Sequence, residues 1–278
     1  MRPALIVRRA AAYLDRHDVE SPLAEAEVLL AQVLRTDRAG LYASDRGLSS
    51  AEARRFGRAL CRRCVGTPLQ HLTGEQGFRR LMLAVRRGVF IPRPETEVVI
   101  EHALAAIEGI REPVVVDVGT GTGAIALAVK DERPDARVMA IDISPEAIAL
   151  ASENSARLHL EIAVVQGDLL DPVPRELLGG VDLVVSNPPY VDAEALSALP
   201  REVRGDPELA LVGGIEIYRR LFAGAVHVLR PGGAVVAEIE ERAGGPVGDV
   251  AEAVGLVDVR ILPDLTGRDR VVAARTLC

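Results

Sequence analysis

The chain has no Trp, and aromatic residues make up only 3% of it, as four Tyr and four Phe. That scarcity argues against a base-stacking platform for single-stranded nucleic acid. Three cysteines give no disulfide framework. Cys61 and Cys64 form a C-x-x-C pair on a predicted helix, but no second pair completes the four ligands that structural zinc takes. His17, His71, His102, His159 and His227 are scattered without metal-ligand spacing, so no metal is expected. No apolar run approaches the roughly 20 residues that cross a bilayer. Near the start, Ala4-Leu5-Ile6-Val7 is followed at once by Arg8 and Arg9, too short an apolar stretch for a secretory signal. These absences predict a cytoplasmic protein with no membrane association. Lysine is nearly missing as well: Lys130 is the single one among 33 basic residues.

What is present is ample material for a core. Of 278 residues, 49% are hydrophobic, enough for one large or two modest domains. The net charge of −7 hides an asymmetry. Residues 1–90 hold sixteen Arg against nine Asp and Glu, a net of +7, which leaves 17 basic and 31 acidic residues beyond them, a net of −14. A basic piece thus precedes an acidic one, and an acidic body binds phosphate backbones poorly. No stable nucleic-acid binding is expected.

The first part reads as helical, with boundaries predicted at 1–72. Ser21-Pro22 opens one helix with cap and proline in favoured places, and Ser49-Ser50-Ala51-Glu52 is a capping box for another that ends near Gly66. Arg54, Arg58 and Arg62 step along the latter at i, i+4, joined by Arg55 and Arg63. This row is either a solvated face or a docking surface for an acidic partner. Residues 73–93 read as a connector with strand character, where Leu81, Leu83 and Val85 alternate. From 94 to 278 helix and strand patterns alternate, which predicts a doubly wound α/β sheet.

Two loops in that sheet carry the chemistry. Val114-Val115-Val116-Asp117-Val118 is a buried strand that runs into Gly119-Thr120-Gly121-Thr122-Gly123 and then a helix from Ala124. Strand, glycine turn and helix make a nucleotide-cofactor loop. Asp142 closes the next strand about twenty residues on, where a carboxylate accepts both ribose hydroxyls. The same loop satisfies a dinucleotide fingerprint through Gly119, Gly121 and Ala124, so an NAD-dependent enzyme is a competing reading. Asp117 ahead of the glycines favours S-adenosyl-L-methionine, because it suits an ammonium and repels a pyrophosphate. The second loop is Asn187-Pro188-Pro189-Tyr190, after the strand Val181–Val185. Two prolines end the ladder in a rigid turn. The Asn187 amide oxygen and the Pro188 carbonyl can accept both protons of a planar –NH2, and Tyr190 with Pro189 walls the slot. That suits a side-chain amide or the amine of adenine, so an adenine N6 methyltransferase on DNA or RNA also stays open.

With both loops in hand, the chain resembles the release factor glutamine methyltransferases of the PrmC/HemK type. The resemblance rests on Ile91-Pro92-Arg93-Pro94-Glu95-Thr96-Glu97, Asp117-Val118-Gly119-Thr120-Gly121-Thr122-Gly123-Ala124, Ser186-Asn187-Pro188-Pro189-Tyr190, Glu208-Leu209-Ala210-Leu211, Pro231-Gly232-Gly233 and Gly267-Arg268-Asp269-Arg270. It implies a class I, Rossmann-like methyltransferase sheet of seven strands, whose last two (Val257–Leu262 and Arg270–Ala274) form an antiparallel hairpin. It implies a small helical substrate-docking domain, S-adenosyl-L-methionine as cofactor and peptide chain release factors as protein substrate. The methyl acceptor would be the glutamine of their Gly-Gly-Gln motif, with an effect on translation termination. Asn187 and Pro188 would be catalytic. Asp117, Gly119, Thr120, Gly121, Thr122, Gly123, Asp142 and Asn187 would line the cofactor, with Asp168 at the adenine amine and Leu169 against its ring. Two departures from the family pattern, Phe78-Arg79-Arg80-Leu81 and Glu238-Ile239-Glu240-Glu241-Arg242, are expected to bear on contacts with the protein substrate.

Overall fold

The computed structural model describes residues 2–191, 194, 196 and 206–278. Arg2–Glu75 form one compact unit, and a second begins at Gln76. No helix among the described residues is long and apolar enough to cross a membrane.

The first unit holds five helices: α1 (Pro3–Asp15), α2 (Pro22–Leu34), α3 (Arg38–Ala43), α4 (Ser50–Cys64) and α5 (Leu69–Thr73). Their apolar stripes meet in one cluster that includes Val7, Leu14, Leu29, Leu30, Leu41 and Phe56. The capping box is formed as the spacing requires: Ser49 Oγ accepts from Glu52 N at 3.3 Å, and Glu52 Oε2 accepts from Ser49 N at 2.8 Å. At α2, Pro22 occupies the first turn, but the Ser21 side chain makes no capping bond. The arginine row also needs correcting. Arg54, Arg58 and Arg62 are exposed, whereas Arg63 is buried and bidentate on Glu25, at 2.5 and 3.0 Å. Arg55 turns back to donate to the Val33 carbonyl at 3.1 Å. A guanidinium taken out of water needs such a partner, so Arg63 belongs to the packing and not to the open face.

A small pair follows, β1 (Glu75–Phe78), which begins at the last residue of the first unit, and β2 (Leu81–Ala84). Then follow α6 (Glu97–Ala106), β3 (Val114–Val118), α7 (Ala124–Glu132), β4 (Arg137–Asp142), α8 (Pro145–Leu158), β5 (Ala163–Gln166), β6 (Val181–Ser186), α9 (Gly214–Val228), β7 (Leu229–Glu238), α10 (Gly244–Ala253), β8 (Val257–Pro263) and β9 (Asp269–Arg275). Seven strands make one sheet in the order β5-β4-β3-β6-β7-β9-β8. β5 to β7 run parallel, and β9 joins antiparallel to β7 and to β8. The hairpin expected at the end of the chain is therefore present.

Alternate residues of the central strands feed two separate clusters. Val115, Leu183, Val185 and Val236 pack with Ile100 of α6 and Leu127 of α7, while Val116, Val184 and Val235 pack with Phe222 of α9 and Val247 of α10. Helices thus cover both faces, which is why these strands read as continuous apolar runs and not as alternating ones.

The departure at Arg79 finds a structural explanation here. Arg79 sits at φ 52°, a left-handed conformation that usually calls for glycine. Its Nε and Nη2 reach Glu132 of α7 at 2.8 and 2.9 Å, and its backbone N reaches Glu97 Oε1 of α6 at 3.0 Å. These bonds hold the turn between β1 and β2 in place.

A single buried amide ties the glycine turn to its surroundings. Asn154 of α8 is fully buried; its Nδ2 donates to Thr122 O at 2.9 Å and to Ala84 O at 3.1 Å, and its Oδ1 accepts from Ala84 N at 2.8 Å. Asn154→Ala strands several buried polar groups, each worth about 1–3 kcal/mol when unpaired. Urea unfolding is expected to show a loss of roughly 2–4 kcal/mol; an unchanged midpoint would remove this role.

Candidate active site

The sheet order decides where the two loops meet. The chain moves outward from β3 through β4 to β5, then returns to place β6 on the other side of β3. That reversal opens a crevice beyond the carboxyl ends of β3 and β6, the place where open α/β sheets bind ligands. The register pairs Val118 with Ser186, and Ser186 Oγ donates to Val118 O at 2.8 Å. The glycine turn and the Asn-Pro-Pro-Tyr loop therefore leave neighbouring strands side by side. A Cβ placed on Gly119 would lie 3.8 Å from the Asn187 carbonyl oxygen. Gly119, Gly121 and Gly123 have φ of 71°, 56° and 83°, all in the region that side chains avoid.

The acids line up along the same rim. Asp117 is fully buried; its Oδ2 accepts from Thr120 Oγ1 at 2.6 Å and from Ala126 N at 3.1 Å, capping the first turn of α7. Among the described residues its Oδ1 has no partner, nor does the buried Thr122 hydroxyl. Burial pushes the Asp117 carboxyl up to about 7, with those two donors pulling the other way. Asp142 faces the glycines: its Oδ2 accepts from Gly121 N at 2.8 Å and its Oδ1 from Ser144 N at 2.9 Å. Each oxygen keeps a lone pair, and burial raises this carboxyl too. Gly167 N donates to Asp142 O at 2.9 Å, which sets Asp168 just beyond. The Asp168 carboxylate is half-exposed and is bound by Arg220 at 2.6 Å. Leu169 adopts φ 48° and packs against the cluster under α9.

The Asn-Pro-Pro-Tyr loop is braced by residues whose contribution sequence reasoning missed. Asn187 Nδ2 donates to Thr96 Oγ1 at 3.1 Å, and Thr96 Oγ1 donates to Glu238 Oε2 at 2.6 Å. Glu238, at the end of β7, also accepts from Tyr190 Oη at 3.3 Å, and its backbone carbonyl accepts from Tyr218 Oη at 2.8 Å. Burial raises the Glu238 carboxyl, while the two hydroxyls and Arg270 favour its charged form. Beneath the loop, Val191 N donates to Leu211 O at 2.8 Å and Gly213 N to Val191 O at 3.1 Å. A Cβ on Gly213 would sit 1.9 Å from the Pro189 carbonyl, so only glycine passes there. Arg93 is paired at 2.5 Å with Asp206, a buried acid four residues ahead of Ala210. The signal for these braces was the Pro-Arg-Pro-Glu-Thr-Glu and Glu-Leu-Ala-Leu segments, which had been used only for their resemblance.

Strand order, glycine turn and proline loop define a class I methyltransferase. The methyltransferase small domain family matches residues 94–202, and the PrmC N-terminal domain family matches residues 6–74. A release factor glutamine methyltransferase of Moorella thermoacetica is 44% identical over 275 residues, covering 96% of this chain and 95% of that protein. One from Deinococcus radiodurans is 40% identical, covering 97% of each. The fold is shared with a methyltransferase from Pyrococcus furiosus, at a TM-score of 0.53 and 16% identity over 81% of this chain and all of that one. The chain belongs to the release factor glutamine methyltransferase family.

The raised Asp117 carboxyl has a consequence for stability. The folded protein holds this proton up to about pH 7, whereas an unfolded Asp releases it near 3.9. Between those values the native state binds more protons, so this group's contribution is present at low pH and is lost as pH rises toward 7. Relative to Asp117→Asn, the ligand-free parent is expected to lose up to about 1.4 kcal/mol per pH unit across that window. Parallel pH profiles of the two proteins in urea would contradict the assignment.

Proposed function

We propose that this protein transfers a methyl group from S-adenosyl-L-methionine to the side-chain amide nitrogen of the glutamine in the Gly-Gly-Gln motif of peptide chain release factors, and so modulates translation termination. The observation that carries this reading is the adjacency of the two loops at the paired ends of β3 and β6, where a Cβ on Gly119 would lie 3.8 Å from the Asn187 backbone carbonyl oxygen. One side of the crevice suits a cofactor with an ammonium group and a ribose, and the other presents acceptors to an –NH2.

The residues fit that cofactor. The orphaned Asp117 Oδ1, buried beside the glycines, calls for a donor such as an ammonium. Asp142 has lone pairs free for ribose hydroxyls while Gly121 N holds it in place. Gly119 and Gly121 let the backbone approach closely, with Thr120, Thr122 and Gly123 completing the turn. Asp168, steadied by Arg220, is assigned to the adenine amine, and Leu169 to its ring. When bound, S-adenosyl-L-methionine supplies an electrophilic methyl group.

An amide nitrogen is a poor nucleophile, so placement and electrostatics must do most of the catalysis. Asn187 Oδ1 and the Pro188 carbonyl accept the two amide protons and aim the nitrogen. Those protons become more acidic as the new C–N bond forms at the expense of the methyl–sulfur bond, so both hydrogen bonds strengthen toward the transition state; a thioether would leave and one amide proton would pass to solvent. Pro189 and Tyr190 restrict the slot to a planar group. Asn187→Ala is expected to keep cofactor affinity but lose about 10²–10³ in single-turnover rate, as when an oxyanion-hole donor is removed. Turnover within a few-fold of the parent would refute the amide clamp.

The first unit is assigned to docking. A Gly-Gly-Gln loop offers little area, so affinity should come from a second contact that leaves the chemistry alone. Arg54, Arg58 and Arg62 form an exposed basic row on α4, in a segment of net +7. Reversing all three to Glu is expected to raise KM for intact release factor several-fold and reduce the salt dependence of association, with kcat unchanged. An unchanged KM in a folded triple variant would leave the row as a solvated face.

A further inference from the structure

The Asn187 side chain can accept from a substrate amide in only one of its two amide orientations. Rotated by half a turn, it would present an –NH2 to an –NH2, and the slot would repel what it is built to hold. Something must fix that choice, and Asn187 itself is only half-buried. We infer that Thr96 and Glu238 are positioning residues that lock the Asn187 amide with its oxygen toward the substrate. The inference deepens the glutamine reading and rests on it.

The argument is one of proton count. A threonine hydroxyl has a single proton. Thr96 is buried and commits that proton to Glu238 Oε2, at 2.6 Å. Glu238 is itself buried, and its Oε2 is the acceptor in that bond, so it returns no proton to the hydroxyl. Its other oxygen is engaged by Tyr190 Oη at 3.3 Å, so the acid is held from both sides. What Thr96 then shows to Asn187 is a lone pair, 3.1 Å from Nδ2. Only the amide nitrogen can satisfy it; the reverse orientation would set two oxygen lone pairs against each other. Among the described residues no donor engages Asn187 Oδ1, which therefore stays available as an acceptor. The cost of orienting the amide is met during folding, before substrate arrives.

The arrangement spans two strand ends and a helix start. Thr96 precedes α6, Asn187 follows β6 and Glu238 ends β7 beside it. Arg93, three residues before Thr96, anchors Asp206 ahead of the segment that bridges to Val191. One short stretch, Arg93 to Thr96, thus braces the Asn-Pro-Pro-Tyr loop on two sides. A wall formed by Pro189 and Tyr190 shapes the slot, but the Thr96 hydroxyl gives it polarity.

Thr96→Val keeps the shape and removes the hydroxyl; kcat on a Gly-Gly-Gln substrate is expected to fall at least tenfold, with affinity for S-adenosyl-L-methionine within about twofold of the parent. Thr96→Ser should restore kcat to within a few-fold. Glu238→Gln tests the proton count, because its –NH2 can donate to Thr96 and release the hydroxyl proton toward Asn187. It too should lower kcat, and the Thr96→Val/Glu238→Gln double variant should be no worse than Thr96→Val alone. Independently of turnover, the Asn187 side-chain amide resonance, assigned by its loss in Asn187→Ala, should shift in Thr96→Val and stay in place in Thr96→Ser. Parental kcat in Thr96→Val, failure of Thr96→Ser to rescue, additive losses, or an unmoved resonance would each overturn the inference. An inactive parent whose resonance still moves as expected would instead indict the glutamine reading and leave the orientation lock standing.

Discussion

The parallel pairing of β3 with β6 is the constraint on which the site depends. Sliding one strand by a residue would turn Asp117 or Ser186 to the opposite face. The observed register sets Val118 beside Ser186, and the next residues on each strand are Gly119 and Asn187. No long-range device is needed to bring the glycine turn to the Asn-Pro-Pro-Tyr loop; the ladder does it. Neighbouring elements then hold the two sharp exits in place. Asn154 holds the glycine side through Thr122, and Gly213 with Thr96 holds the proline side.

Burying acids is costly, and this site buries several. Asp117 and Glu238 sit at the ends of β3 and β7, on either side of β6, and each is nearly free of solvent. Each has hydroxyl or backbone donors that recover only part of what hydration supplied, so both carboxyls are raised. The two differ in what remains unsatisfied. Asp117 keeps one oxygen without a partner among the described residues, as expected of a group awaiting a ligand. Glu238 has partners on both oxygens, as expected of a group that holds other side chains in place.

Much of this was legible in the sequence because it is local. The strand Val114–Val118, the three glycines and the helix from Ala124 are contiguous, and their pattern fixes the turn. Asn187-Pro188-Pro189-Tyr190 reads the same way, since two prolines permit few conformations. What escaped was pairing across long separations. Thr96 and Glu238 are 142 residues apart, and nothing in either local pattern names the other. Arg63 had the spacing of an exposed row, yet its partner Glu25 lies 38 residues away and pulls it inside. Arg79 was read as a departure at a substrate contact, because the acids that hold its left-handed turn, Glu97 and Glu132, belong to later helices. The Ser21 cap failed for a local reason: its ψ of 60° lies outside the extended conformation in which Ser144, also followed by proline, caps its helix.

The central claim is that the crevice receives an amide nitrogen and not a nucleobase amine. Its most direct test is to incubate the purified protein with methyl-labelled S-adenosyl-L-methionine, an intact release factor and bulk DNA and RNA together, then locate the label by fragment mass spectrometry. The account predicts one methyl group on the glutamine side chain of Gly-Gly-Gln and none on adenine. Label on nucleic acid, with the release factor unmodified, would contradict it.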